Sequence, residues 1–312
     1  MRGELLVYPT AREAAEADGS DNKYFTRLTE WTQKGNSFTT DFTVPFAWAN
    51  RQVLLRIGWA SADYEIRING GRVAYNSDCN APAEFNLTRH AKEGRNTLEV
   101  ILSSPSKVAR LESWKNDAAP AIGEAWVMSQ PTLRVRDILP KPEGRYMEYI
   151  EVPLGFRTVE VQNGQLAVNG TPVTLRAREV PAHASADEIA ALRGQGYNTL
   201  KLLPGPVSPT LYGTCDTLGM YVIVQAPIDT RSSGESRRIG GNPSNAPEWQ
   251  GAYAERTADS YHASKRHPSV IAFSLATQSS NGINLYESYL DMKKSGDSRP
   301  FIYPDAAGEW NS

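Results

Sequence analysis

An all-β unit followed by a partial parallel βα barrel of about five strands is the fold this sequence predicts, a multidomain β and α/β class. Three observations carry that expectation. From Ser37 to about Asp137, short runs rich in Val, Ile, Thr and aromatic residues alternate with turn residues. After Leu154, helical and strand patterns alternate, as a parallel sheet requires. The run His267-Pro-Ser-Val-Ile-Ala-Phe-Ser-Leu-Ala-Thr-Gln278 is apolar and ends abruptly in polar side chains. That is the pattern of a buried parallel strand carrying Thr277 and Gln278 to a barrel mouth.

Residues 1–35 are polar and mixed, with a short helical pattern at 11–17. Strands are predicted at 37–44, 52–59, 64–68, 72–75, 97–102 and 131–135. Asn69-Gly70-Gly71 makes a tight hairpin between two of them, because Asn and Gly accept the positive φ such turns need. Trp48, Trp59 and Trp126 lie in or beside apolar runs and read as core residues. Pro140-Lys-Pro-Glu-Gly opens a linker over 139–153, which divides the chain into domains at 1–138 and 154–312.

In the second domain, residues 159–161 and 165–168 read as a hairpin and 173–180 as the first parallel strand. Ser185-Ala-Asp-Glu188 is a capping box that opens a helix, closed by Gly194 and Gly196. Strand 198–203 follows. Ser208 and Pro209 supply an N-cap and a first-turn proline for a helix with Leu211, Tyr212, Cys215 and Leu218 on one face and Gly219 at its end. Strand 221–228, a long polar loop over 229–246, a helix over 247–266, the 267–278 strand, a helix around Leu285 to Leu290 and a fifth strand over 297–303 complete the pattern.

Several of these stretches resemble the family 2 glycoside hydrolases, the group of the β-galactosidases, β-glucuronidases and β-mannosidases. In the first domain, the Asn69-Gly70 hairpin, Phe85-Asn-Leu-Thr88 and Gly94-Arg-Asn-Thr-Leu98 resemble, in order, the family's jelly-roll β-sandwich, a galactose-binding-like domain. In the second, Gly155-Phe-Arg157, Asn169-Gly-Thr-Pro-Val173 and Leu175-Arg176 resemble the entry to its TIM-type barrel, and Cys215-Asp216 resembles a pair in one of its helices. The 267–278 run resembles the strand that ends in the family's Asn-Glu, the Glu being the general acid/base. The resemblance lacks one part. About 100 residues of immunoglobulin-like domain separate sandwich from barrel in the family, and only 139–153 intervene here.

The resemblance implies a glycosidase frame whose chemistry is altered. Gln278 falls at the acid/base position and Thr277 at that of the neighbouring Asn, while Lys201 and Gln225 replace the family's Arg and Glu at two other strand ends. Retaining hydrolysis needs two carboxyl groups about 5 Å apart, one to protonate the leaving oxygen and one to attack the anomeric carbon. An amide does neither, and the strand that carries the family's nucleophile is not among those predicted. A noncatalytic carbohydrate-binding or assembly module is therefore expected. A β-glycosidase fragment that needs further strands is one alternative, and an interaction module without a glycan site is the other. A surviving mouth would use Lys201, Gln225, Thr277, Gln278 and Asp305, with Trp310 as a stacking surface. Glu179, Asp229, Asp305 and Glu309 are the carboxylates placed near strand ends, where a new pair could arise.

The remaining features narrow the partners. With 33 Lys and Arg against 35 Asp and Glu, neither nucleic acid nor an anionic membrane is favoured, and a neutral carbohydrate suits the balance. No apolar run is long enough for membrane insertion. Cys79 and Cys215 are far apart in sequence and predict neither a disulfide nor a thiolate metal site. No phosphate-binding loop, dinucleotide fingerprint or metalloprotease motif occurs, so no cofactor is expected. His183 reads as a surface residue, and His267, at the start of its strand, belongs to the barrel's stability face. A five-strand barrel leaves two strand edges open, to be closed by a subunit or a C-terminal region. The compartment stays open, periplasmic or extracellular if a signal peptide has been removed.

Overall fold

In a computed structural model, the structure describes residues 24–115, 119–132, 157–162, 164–238 and 240–306. The helical pattern at 11–17 and the linker at 139–153 lie outside them. The chain divides into two compact units: Met1–Ser104 with Pro120–Pro153, and Pro105–Ala119 with Leu154–Ser312.

The first unit holds β1 (Phe25–Leu28), β2 (Thr32–Lys34), β3 (Ser37–Val44), β4 (Gln52–Ile57), β5 (Tyr64–Ile68), β6 (Gly71–Asn76), β7 (Ala83–Asn86), β8 (Gly94–Leu102) and β9 (Ala125–Gln130). Its two antiparallel sheets have the orders β1-β9-β4-β7 and β2-β3-β8-β5-β6. Alternation decides which side chains face inward. In β3, Phe38, Thr40, Phe42 and Val44 are buried while the residues between them are partly or fully exposed. Their apolar members meet Leu55, Ile57 and Val127 of the opposite sheet in one core, which makes a β-sandwich. Trp48 and Trp126 are buried, and Trp59 is half-buried against Gly123. The strand expected at 131–135 lies mostly outside the described residues, and β9 at 125–130, whose first five residues are all buried, was not expected. A strand covered on both faces shows no alternation, and so the pattern missed it.

The second unit is a five-stranded parallel sheet in sequential order: β13 (Ala177–Val180), β14 (Thr199–Leu202), β15 (Tyr221–Gln225), β16 (Val270–Ser274) and β17 (Phe301–Ile302). The helices α1 (Ala186–Gly194), α2 (Leu211–Leu218), α3 (Gln250–Ser264) and α4 (Ile283–Lys293) alternate with these strands. Ile189, Leu211, Cys215, Tyr253 and Leu285 from the helices pack with Leu200, Leu202, Val222, Val224 and Phe273 from the strands, which is the layering of a βα barrel. The other face of the sheet is capped by a small antiparallel sheet of β10 (Val159–Gln162), β11 (Gln165–Val168) and β12 (Thr171–Pro172). There Val159 and Val168 pack with Ile271, joined by Tyr221 and Ile223. Among the described residues, β13 and β17 are the open edges of the parallel sheet.

Helix ends follow local chemistry. Ser185 Oγ accepts from the Glu188 N–H, and the Glu188 carboxylate accepts in return from the Ser185 N–H at 2.7 Å, completing the capping box. Helix α2 differs from expectation: it begins at Leu211 after Thr210, and Ser208 with Pro209 forms a turn closed by the Leu211 N–H on the Ser208 carbonyl. Its end matches, with Gly219 in the left-handed conformation at φ 67°.

The 267–278 run begins with an anchor. His267 Nδ1 lies 2.6 Å from Asp216 Oδ2, the Ser269 N–H donates to Asp216 Oδ1 at 2.8 Å, and the His267 ring stacks on Tyr212. Burial works to raise the Asp216 carboxyl, but its hydrogen bonds from His267 and Ser269 outweigh burial and hold it below the usual carboxylate range. The His-Pro-Ser half of the run thus fastens β16 to α2 at the end of the strand remote from the mouth. Cys79 and Cys215 are both buried as thiols.

Candidate functional site

At the carboxyl end of β16 the backbone turns sharply. Thr277 donates its N–H to the Ile228 carbonyl at 2.9 Å, and Gln278 then adopts φ 43°, a left-handed conformation that costs a non-glycine residue about 1–2 kcal/mol. Asp305 compensates, its Oδ2 accepting the Gln278 N–H. Ser279 continues the corner. Its N–H donates to the Tyr303 hydroxyl, and the same hydroxyl donates to the Ser279 carbonyl. Burial pushes the Tyr303 phenol up, so it keeps the proton that this bond uses. The outcome is an exposed Gln278 side chain on a corner fixed from two sides.

Beside this corner lies a cavity of about 480 Å³. Gln278, Ser279, Ser280 and Asn281 form one wall, Asp305 and Ala306 a second, and Arg231, Gly234, Glu235 and Arg237 the third. The third wall belongs to the 229–246 loop, which folds around Asn242, a residue only 1% exposed. Asn242 Nδ2 donates to the carbonyl of Gly234, and Oδ1 accepts from the Ser244 N–H. The Asn242 N–H in turn reaches the Ser236 carbonyl at 2.6 Å. Asn245 Nδ2 holds the Arg237 carbonyl at 2.9 Å, and Ser280 Oγ reaches the Glu235 carbonyl. A loop rich in Arg, Ser and Gly is thereby ordered by side-chain amides that stand in for regular structure.

The expected site residues separate into groups. Gln278 and Asp305 meet at the cavity, and Thr277 contributes to its corner through the backbone. Lys201 is not among the lining residues: its Nζ pairs with Glu179 Oε1 at 3.0 Å on the neighbouring strand. Gln225, 5% exposed, also lies off the lining, with Nε2 donating to the Ala226 carbonyl and Oε1 unpartnered among the described residues. Trp310 and Glu309 lie outside the described residues. Asp229 is fully buried, and its carboxylate takes a paired contact from Arg231. His183 is exposed. Sequence reasoning missed Arg231, Glu235, Arg237 and Asn281, since nothing in a polar loop marks which residues will face a cavity.

A second feature gave no signal in the sequence. Residues 105–119 lie between β8 and β9 in the chain yet belong to the second unit. Leu111 enters the core of that unit, its carbonyl accepts the Asp229 N–H at 2.8 Å, and Ser113 returns a bond from its N–H to the Asp229 carbonyl at 3.0 Å. Asp229 is in turn bridged to Thr277. Glu112 therefore sits two ladder steps from the corner that carries Gln278, with Asp229 between them.

The profile "Glycosyl hydrolases family 2, TIM barrel domain" matches residues 159–310. The β-galactosidase of Enterobacter cloacae is 29% identical over 190 residues, covering 57% of this chain and 18% of the relative. That of Psychromonas ingrahamii is 22% identical, over 85% of this chain and 35% of the relative. The chain therefore spans from about a fifth to a third of these relatives' length. Among solved structures, the β-D-glucuronidase of Dictyoglomus thermophilum superposes with a TM-score of 0.71 over 96% of this chain and 74% of its own, at 14% identity, a likeness of fold. Layering, strand order and profile agree: residues 159–310 match the family 2 glycosyl hydrolase TIM-barrel domain, and the chain is a family 2-like protein.

Proposed function

We propose that this chain binds a carbohydrate at the cavity beside Gln278 without hydrolysing it. One observation carries the reading: an exposed amide, Gln278, stands on the wall of a cavity of about 480 Å³ at the position where the family resemblance calls for an acid. That volume suits a small ligand. Hydroxyl, amide and guanidinium groups on the walls give the donors and acceptors that sugar hydroxyls need. Two carboxylates near the mouth are occupied in other ways, Asp305 by the Gln278 backbone and Glu179 by Lys201, and Glu235 is the carboxylate of the third wall that the turnover test addresses. An amide can hold a glycosidic oxygen by hydrogen bonding but has no acidic proton to give it.

The test pairs binding with turnover on the purified chain. Saturation-transfer NMR with methyl β-D-galactopyranoside and methyl β-D-glucuronide should detect binding of one of them, weakened in Gln278→Ala, while the matching 4-nitrophenyl glycosides stay intact. Release of 4-nitrophenol, lost in a Glu235→Gln or Asp305→Asn variant, would replace this reading with a catalytic one. The second reading is a β-glycosidase piece that works only within a longer polypeptide. The length of the curated relatives favours it, and activity regained on joining this chain to the remaining strands of such a relative would support it.

A further inference from the structure

We infer that Arg110 is a positioning residue for the proposed carbohydrate site, clamping from outside the loop that forms the third cavity wall. Its guanidinium makes three contacts with that loop. Nη2 donates to the Gly241 carbonyl and, at 3.4 Å, to the Gly240 carbonyl, and Nε reaches Ser233 Oγ at 3.4 Å. The guanidinium also lies over the Trp249 ring, 5.9 Å from its centroid, where the loop passes into α3. These contacts bracket the segment that contains Gly234, Glu235 and Arg237, three of the four residues of that wall.

The loop's own bonds leave this role open to Arg110. Asn242 gathers Thr230, Gly234 and Ser236 from inside, and Asn245 holds Arg237. The carbonyls of Gly240 and Gly241 are not among the groups those amides hold, and Arg110 Nη2 gathers both. Arg110 itself is held in place by its neighbours, since Leu111 is buried in the core, and Glu112 and Ser113 are fixed by Arg256 and Asp229. A guanidinium on a fixed backbone holds several carbonyls at once; an ammonium on the same stem holds them singly. Arg110 lies off the cavity lining, so its effect on a ligand is indirect.

The experiment uses the full chain with Arg110→Ala and Arg110→Lys, read by amide hydrogen exchange and by sugar binding. In Arg110→Ala, exchange across 231–241 should rise by about tenfold or more, the change expected when a charge-assisted hydrogen bond is lost from a locally opening segment, while β15 and β16 stay protected. Trypsin should cut at Arg237 and Arg238 sooner, and Arg110→Lys should recover part of the protection. Affinity for whichever methyl glycoside the unaltered chain binds should fall in the same order. Unchanged exchange in the loop, or a rise shared equally by β15 and β16, overturns the proposal whatever the sugars do. A local rise in a chain that binds neither glycoside supports the clamp and overturns the carbohydrate reading on which its effect on affinity rests.

Discussion

Glu112 and Arg256, 144 residues apart in sequence, form an ion pair at 2.9 Å in which the two side chains are 1% and 0% exposed. Lys115 adds a second cation to Glu112 at 3.2 Å. The pair joins the 105–119 segment to α3 inside the second unit. Removing one partner of a buried pair strands the other charge, at a cost of about 3–5 kcal/mol. Arg256→Met should therefore lower the urea midpoint sharply, and Arg256→Met with Glu112→Leu should recover much of the loss. A double variant as unstable as the single one would mean that packing, and not charge, makes this contact.

Acid should loosen the start of β16. The Asp216 carboxyl is held below its ordinary value of 3.8 in the folded chain, so its hydrogen bonds contribute full stability above the unfolded value. That contribution falls as pH drops from about 4 through the lower folded value. Asp216→Asn should cost about 1–3 kcal/mol at pH 7 and flatten the acid limb of a plot of Tm against pH. Parallel limbs in the two proteins would remove Asp216 from the account.

The Gln278 corner depends on one acceptor. Asp305→Ala leaves the Gln278 N–H without Asp305 Oδ2 in a backbone conformation that already costs energy. Affinity for the bound methyl glycoside should drop by about tenfold, in keeping with a lost hydrogen bond to a charged group, and Asp305→Asn should retain more of it. Titration followed by NMR would give the comparison, and equal affinities in Ala and Asn would refute the assignment.

Gly241 admits no side chain. A Cβ there would enter the Ser236 carbonyl oxygen and lie 2.9 Å from the Arg238 carbonyl oxygen. Gly241→Ala should cost about 1–3 kcal/mol through overpacking, and proteolysis should localise the damage to 234–242. Unaltered cleavage would show that the loop has room to shift.

The parts of the fold legible in the sequence were those with local rules. Alternation in 37–44 and 64–68, the reciprocal cap at Ser185 and Glu188, and the left-handed Gly219 are properties of a few neighbouring residues. Strand β9 escaped because burial on both faces erases alternation, and the start of α2 shifted because a Ser-Pro pair serves a turn as readily as a cap. At the cavity, Gln278 and Asp305 could be placed from the strand ends they follow, while Arg231, Glu235 and Arg237 owe their positions to Asn242 folding the loop inward. The 105–119 segment was illegible for a stronger reason. Its partners, Asp229 and Arg256, lie more than a hundred residues away, and no periodicity extends so far.

That separation also sets an order of events in synthesis. At about 5–20 residues per second, roughly 7–30 s pass between the making of Glu112 and that of Arg256. In that interval β8 and β9 can pair with their sheet partners, but Glu112 stays hydrated and Leu111 has no core to enter. The Asp229 bridge and the Glu112 pair therefore close late, by contacts of long sequence range, and the 105–119 segment waits for them.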